Sequence, residues 1–517
     1  MNPIIAFKIY TLHYFLELIL HLQKTIGRIK YKIMNNSIRQ LEPKELWNHF
    51  ADLNAVPRPS KKEEKIIAFI KSFGESLHLS TYVDEVGNII IKKKATKGME
   101  NKITLVLQSH LDMVHQKNNN TDFDFNRQGI EMFIEGDWVK AKRTTLGADN
   151  GIGVASIMTL LASKDIPHPP LEALFTIDEE TGMTGALALK GGLLSGSILL
   201  NLDTEDDNEL TIGCAGGIDV SATGNYIAEK PKGKEAFRIS INGLTGGHSG
   251  MDIHKGRGNA NKLMNRLLLH LSNKMNIEIS TIDGGGMRNA IPRESYADIV
   301  NSNNSIALKQ EIEKLCTIFQ DEYRATDPNL TFTVENIPNP VSILNNKFQQ
   351  MLLRSIYACP NGIYRMSPDI KGLVQSSNNI ARVLVKEGTF SNHCLTRSSV
   401  DTEKTDLKMA ITSAFELMGA QVNYTGEYPG WTPKPSSPIV QLMGDLYKER
   451  YHEQALVSAC HAGLECGILG KNYSEVQMIS FGPNIRGAHS PDEKVQISSV
   501  QKYWGFLLET LKRIPEN

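Results

Sequence analysis

The sequence predicts an α/β fold, a mostly parallel sheet flanked by helices and interrupted by a large inserted α+β segment. Three observations predict it. First, Ile103–Leu107, Leu171–Ile177 and Ser197–Leu202 are short apolar runs that read as buried strands. Second, each run gives way to residues that carry chemistry: His110 and Asp112, then Asp178, Glu179 and Glu180, then Asp203. Helical patterns such as Val154–Leu161 lie between them, and open α/β sheets place their ligands at the carboxyl ends of their strands. Third, the texture changes near residue 217 to half-exposed alternating strands such as Phe237–Ile241, mixed with helices such as Asn259–Leu271.

The bulk numbers bound the protein class. A chain of 517 residues suffices for two or three domains. Hydrophobic residues at 41% and charged residues at 22% fit a soluble globular protein. Lys plus Arg is 56 against 57 for Asp plus Glu, which argues against a dominant polyanion-binding role. Cys214, Cys316, Cys359, Cys394, Cys460 and Cys466 are scattered and form no CxxC pair, as suits reduced structural thiols.

Taken in order, residues 1–35 read as an N-terminal extension. Lys8, His13, Glu17 and His21 interrupt its apolar stretch, which disfavours a spanning helix, and no signal-peptide pattern is evident. Met34 is the expected initiator. Residues 40–80 read as helices, with Ser60 opening a capping box before the apolar face of Ile66, Ile67, Phe69 and Ile70. Asp137–Ala141 resembles a hairpin arm. Glycines crowd Asp149 in Thr144–Gly153, which reads as a tight bend pushing that acid into a crowded site. The expected domains are 36–216, an insertion over 217–425, and a return over 426–517 through the Pro-rich Tyr428–Pro435. A helix at Ile439–Tyr451, a strand at Met478–Phe481 and a helix at Ser498–Ile514 close the chain.

His110 and Asp112 sit two apart on an extended chain and share one face. Alone, that pair suits a solvated loop as well as a metal ligand with its orienting carboxylate. Joined by Asp149, Glu179, Glu180, Asp203 and His489, it suits zinc, with cobalt or manganese as alternatives. More carboxylates than one ion needs point to two ions sharing a water. The residues alone leave open which of Asp178, Glu179 and Glu180 does what.

The stretches QSHLDMV, TTLGADNGIG, TIDEETGMTGA, LLNLDTE, CAGGID, LTGGHSG, MRNAIPRE, YPGW, HAGLECG and GAHSPDE occur in one order from about Leu41 to Pro515. They resemble the M20 dizinc metallopeptidases, relatives of glutamate carboxypeptidase and aminoacylase. The resemblance implies a zinc-peptidase catalytic domain, with the insertion as a lid and dimerisation domain. It implies that His110 and Asp203 bind one cation, Glu180 and His489 the other, and that Asp149 bridges them ahead of a cis peptide bond. It implies that Asp112 orients His110 and that Glu179 is the general base. His248 would donate to the oxyanion, while Asn289, Arg397 and Gly463 would hold the substrate backbone and its terminal carboxylate. Arg288 and Arg382 compete with Arg397 for that role. The implied substrates are Xaa-His and other unblocked dipeptides, including β-alanyl-histidine. The implied setting is a cytoplasmic homodimer without nucleic acid or stable membrane association. One alternative is an N-acyl-amino-acid deacylase of the same superfamily. An inactive scaffold would need a broken ligand set, and all seven positions carry workable residues.

Overall fold

The computed structural model describes residues 35–302 and 304–517. The expectations for the N-terminal extension and for Met34 lie outside the described residues. The described chain forms two compact units. The first comprises residues 35–211, Pro435–Val457 and Asn472–Asn517, and the second comprises Ile212–Lys434 and Ser458–Lys471.

In the first unit, four parallel strands form the centre of an eight-stranded sheet, in the order Leu171–Thr176, Leu105–His110, Ile198–Asn201, Gln477–Ser480. Antiparallel strands flank them: Ile89–Lys93 and Ser80–Val83 on one side, Glu209–Cys214 on the other. Parallel pairing is thus confined to the centre. Every residue of the Leu105–His110, Leu171–Thr176 and Ile198–Asn201 strands is buried, which is why they read as continuous apolar runs. The helix Ala148–Ala162 packs on the Leu105–His110 strand and on the helix Lys44–Leu53. It is buried almost all round, so its sequence lacks an amphipathic stripe. Each Leu or Ile so enclosed contributes about 1.5–3 kcal/mol.

A buried polar ladder crosses these four strands just below their carboxyl ends. Gln108 donates to Thr176 Oγ1 at 3.1 Å and accepts from Asn201 at 2.5 Å, and Ser480 donates to Asn201. All four residues are at most 1% exposed. Because such groups are costly to bury unpaired, the ladder penalises any slip in register. His110 and Asp203 each lie two residues beyond a rung, so their placement inherits that register.

A second, four-stranded antiparallel sheet runs Ile485–Arg486, Lys494–Gln496, Trp138–Ala141, Met132–Glu135. Trp138–Ala141 and Met132–Glu135 form the expected hairpin. The capping box at Ser60 does not form. The following helix spans Glu64–Ser76 with Glu63 at its N-cap position, while the Ser60 hydroxyl donates to Met113 O at 3.2 Å. Tertiary bonding has taken the hydroxyl away from the helix end.

The second unit has the expected α+β character. Its large antiparallel sheet includes Glu235–Asn242, Glu278–Gly285, Ser295–Asn301, Val374–Lys386 and Thr389–Ser398. Helices Ala260–Met275, Ser305–Tyr323, Asn346–Ala358 and Asp401–Glu416 share one apolar core with that sheet. Asn259, Asn304 and Asn345 cap the first three with side-chain oxygens that accept backbone N–H groups. No described helix is long and apolar enough to cross a membrane.

Candidate active site

The carboxyl ends of the parallel strands bring five predicted ligands together. His110 ends its strand, and its Nε2 lies 3.1 Å from Asp149 Oδ1 and 3.5 Å from Asp203 Oδ1. His489 comes from the loop between Ile485–Arg486 and Lys494–Gln496. Its Nε2 lies 2.9 Å from Glu180 Oε2 and 3.3 Å from Asp149 Oδ2. Asp149 therefore reaches both imidazoles, one with each carboxylate oxygen. The backbone bends where glycine crowding predicted it. Gly147 has φ +70°, Asp149 leaves helical geometry at ψ 112°, and the Asp149–Asn150 peptide is cis.

Asp112 contacts more than His110. Its Oδ1 lies 3.4 Å from His110 Nδ1 and also accepts Glu179 N–H at 3.0 Å, while Oδ2 accepts Glu180 N–H at 3.3 Å. One buried carboxylate thus lies beside an imidazole and holds the turn that presents both glutamates. Asp178 adopts φ +53° and accepts the Thr181 and Thr184 hydroxyls, which tightens the same turn. Glu63, Asp112 and Asp178 could also group around an ion. Their oxygens already accept N–H and O–H groups, Lys61 N–H in the case of Glu63.

Several supporting residues were not legible in the sequence. Asn150 donates to Leu202 O at 2.6 Å and to Asp203, aiming that carboxylate. Arg58, 1% exposed, donates through Nη1 to Leu111 O and Asp112 O at 3.0 Å each, and through Nη2 to Gly147 O at 2.5 Å. Glu493, 2% exposed, accepts backbone N–H groups from the Asp149 turn. All three act across long sequence separations, largely on backbone groups, and no spacing rule exposes such contacts.

The electrostatics mark a site with surplus negative charge. His489 is raised to about 11 by its bonds to Asp149 and Glu180. Burial opposes a charge on His110, yet Asp203, Asp112 and Asp149 hold it well above the ordinary histidine range. Burial pushes Asp203 up to about 6 and the neighbouring Glu205 to about 8, with Asp149 adding repulsion. Imidazole and carboxylate donors converging on so anionic a centre fit divalent cations, with Asp149 able to serve two.

The predicted substrate residues lie in the second unit. His248 Nδ1 accepts Met251 N–H at 3.0 Å and Gly250 N–H at 3.2 Å, so the ring proton sits on Nε2 as a donor. Burial and nearby Arg397 lower its pKa, which keeps the ring neutral. Arg397 is 5% exposed and donates to Tyr428 Oη at 3.0 Å. Its competitors are engaged elsewhere, Arg288 with Asp219 and Arg382 with Asp283 and Gly285 O. Gly250 permits a close approach: a Cβ there would collide with His461 O and lie 3.2 Å from both Arg397 Nε and His248 Cε1. His461 donates to or accepts from Ser377 Oγ at 2.7 Å, and burial lowers its pKa to about 3, with Arg397 adding to the effect. Asn289 is exposed, its carbonyl accepting Ser249 N–H at 2.8 Å. Gly463 lies between the strand Leu456–Cys460 and the helix Glu465–Asn472.

Such a donor set, at the carboxyl ends of a parallel sheet with a further glutamate beside it, is that of a metal-dependent hydrolase. Residues 106–513 match the family described as Peptidase family M20/M25/M40, and the chain belongs to it. The chain is 42% identical to the cytosol non-specific dipeptidase of Escherichia coli K12 over 482 residues, 93% of this chain and 99% of that protein. The crystal structure of aminoacylhistidine dipeptidase from Vibrio alginolyticus superposes with a TM-score of 0.88 at 41% identity, covering 93% of this chain and 98% of that one. Aminopeptidase PepT from Bacillus cereus shares the fold alone, at 16% identity and a TM-score of 0.54 over 92% of this chain and 99% of that one.

Proposed function

We propose that this protein is a metal-dependent dipeptidase that hydrolyses Xaa-His and other unblocked dipeptides, including β-alanyl-histidine. The observation that carries the reading is Asp149, whose two carboxylate oxygens reach His110 and His489 separately. His110 and Asp203 would hold one cation, Glu180 and His489 the second, and Asp149 both, with zinc the best match to the donors. Bound cations supply a water of lowered pKa and polarise the scissile carbonyl.

The chain's own residues perform the remaining steps. Glu179 takes the proton of the attacking water and returns it to the departing amine. Asp112 holds Glu179 by its backbone and His110 by its ring. His248 offers Nε2–H to the oxyanion. Arg397 binds the terminal carboxylate by a bidentate pair, aided by Asn289 and Gly463. The name of the Escherichia coli relative, a cytosol dipeptidase, and the six free thiols support a cytoplasmic enzyme. We assign a homodimer formed through the second unit.

The test is a substrate panel after chelation and add-back of zinc, cobalt or manganese. It includes Ala-His, β-Ala-His, Leu-Leu, Gly-Gly-Gly and N-acetyl-amino acids. Cleavage of the free dipeptides, restored by metal, is expected. No cleavage of any dipeptide with any metal overturns the reading, and faster N-acetyl cleavage replaces it with the deacylase.

A further inference from the structure

We infer that Glu493 is a positioning residue that sets the bridging carboxylate Asp149 in register with His489. The inference rests on the two-cation reading above and adds a residue that the ligand set does not contain.

Glu493 accepts four successive backbone N–H groups. Its Oε2 takes Leu146 N at 2.7 Å and Gly147 N at 2.9 Å, and its Oε1 takes Ala148 N at 2.7 Å and Asp149 N at 3.3 Å. These N–H groups belong to the turn at residues 146–149, ahead of the break in helical geometry at Asp149 and Asn150. A carboxylate there is held by charge-assisted hydrogen bonds. The turn is gripped from its other side as well. Arg58 takes the Gly147 carbonyl at 2.5 Å and, through its other terminal nitrogen, the carbonyls of Leu111 and Asp112. The peptide unit joining Gly147 to Ala148 is thus held by buried Arg58 at the Gly147 oxygen and by buried Glu493 at the Ala148 nitrogen.

The covalent path makes this grip specific to the site. Glu493 lies four residues after His489 in one loop, and that loop is stiff. Glu493 N–H bonds to Ser490 O at 3.1 Å, Asp492 N–H to Ser490 Oγ at 3.2 Å, and Ser490 Oγ to Gly487 O at 2.7 Å. Both ends of the loop belong to the four-stranded sheet, and the Lys494–Gln496 strand pairs with Trp138–Ala141, the strand that leads into the Asp149 turn. The two ligands therefore leave the same small sheet on separate loops, and Glu493 closes the gap between them. Its carboxylate spends its oxygens on backbone donors, so it acts through Asp149 rather than on substrate.

The test uses Glu493→Gln and Glu493→Asp in the full chain. Gln keeps the length but turns one acceptor into an NH₂ group facing N–H donors. Asp keeps the charge but falls short of the turn. In the parent protein, cobalt uptake and its visible absorption spectrum report both occupancy and coordination geometry. The expected result for a folded variant is an altered cobalt spectrum, cation affinity lower by about 10–100-fold, and kcat for Ala-His reduced tenfold or more with KM changed far less, since small misplacements of reacting groups cost about 10²-fold. A variant that folds, takes up cobalt with the parental spectrum and affinity, and keeps the parental kcat overturns the inference. Failure of both variants to fold, read by circular dichroism, also overturns it, because the residue then serves overall stability. If the parent itself binds no cobalt, the two-cation reading has failed, a result distinct from either.

Discussion

Glu179→Gln is expected to lower kcat for a dipeptide by roughly 10²–10⁴-fold while the protein still takes up its full complement of zinc. The substitution preserves side-chain length and removes only the ability to accept and return a proton. It leaves the local frame untouched, because Asp112 holds this turn by the amides of residues 179 and 180 rather than by their side chains. Glu180, one position on, presents its carboxylate to His489 at 2.9 Å, as the proposed division between proton transfer by Glu179 and cation binding by Glu180 requires. Metal content by mass spectrometry and steady-state kinetics on one preparation check both halves. A kcat within tenfold of the parent would move the proton transfer to another group.

Asp149→Ala is expected to weaken both cations at once and to remove activity by three or more decades. Metal activation is worth several kcal/mol, and each ~1.4 kcal/mol is tenfold. Among the described residues, Asp149 is the carboxylate whose two oxygens reach both histidines. Loss of the turn does not explain the effect, because Glu493 and Arg58 bind backbone groups that the substitution leaves in place. Dialysis against low zinc followed by metal analysis is the check. A variant that retains two cations per chain would show that the bridge lies elsewhere.

The parts of this molecule that announce themselves in sequence are those with a period or a chain-local pattern. The buried strands ending at His110 and before Asp178 and Asp203 were legible because apolar runs this short suit a strand better than a buried helix. The bend at Asp149 was legible from its glycines. The separate duties of Asp178, Glu179 and Glu180 were not, because three adjacent acids share one composition and differ only in direction. Here Asp178 binds threonine hydroxyls while Glu180 faces His489. Ser60 was misread for a related reason: the local rule assigned its hydroxyl to a helix end, and a strand-loop carbonyl far along the chain claimed it. The ladder of Thr176, Gln108, Asn201 and Ser480 was invisible because isolated polar residues inside strands carry no signal until their partners are known. Glu493 received no role from the stretch GAHSPDE, yet it is 2% exposed.

The central claim is a two-cation centre built on Asp149. It is tested most directly by calorimetric zinc titration of the fully chelated protein, with Ala-His hydrolysis followed at each addition. The account predicts uptake of two equivalents per chain, with activity absent in the chelated protein and complete only as the second site fills. Full activity in the chelated protein, or saturation of both binding and rate at one equivalent of zinc per chain, would contradict it.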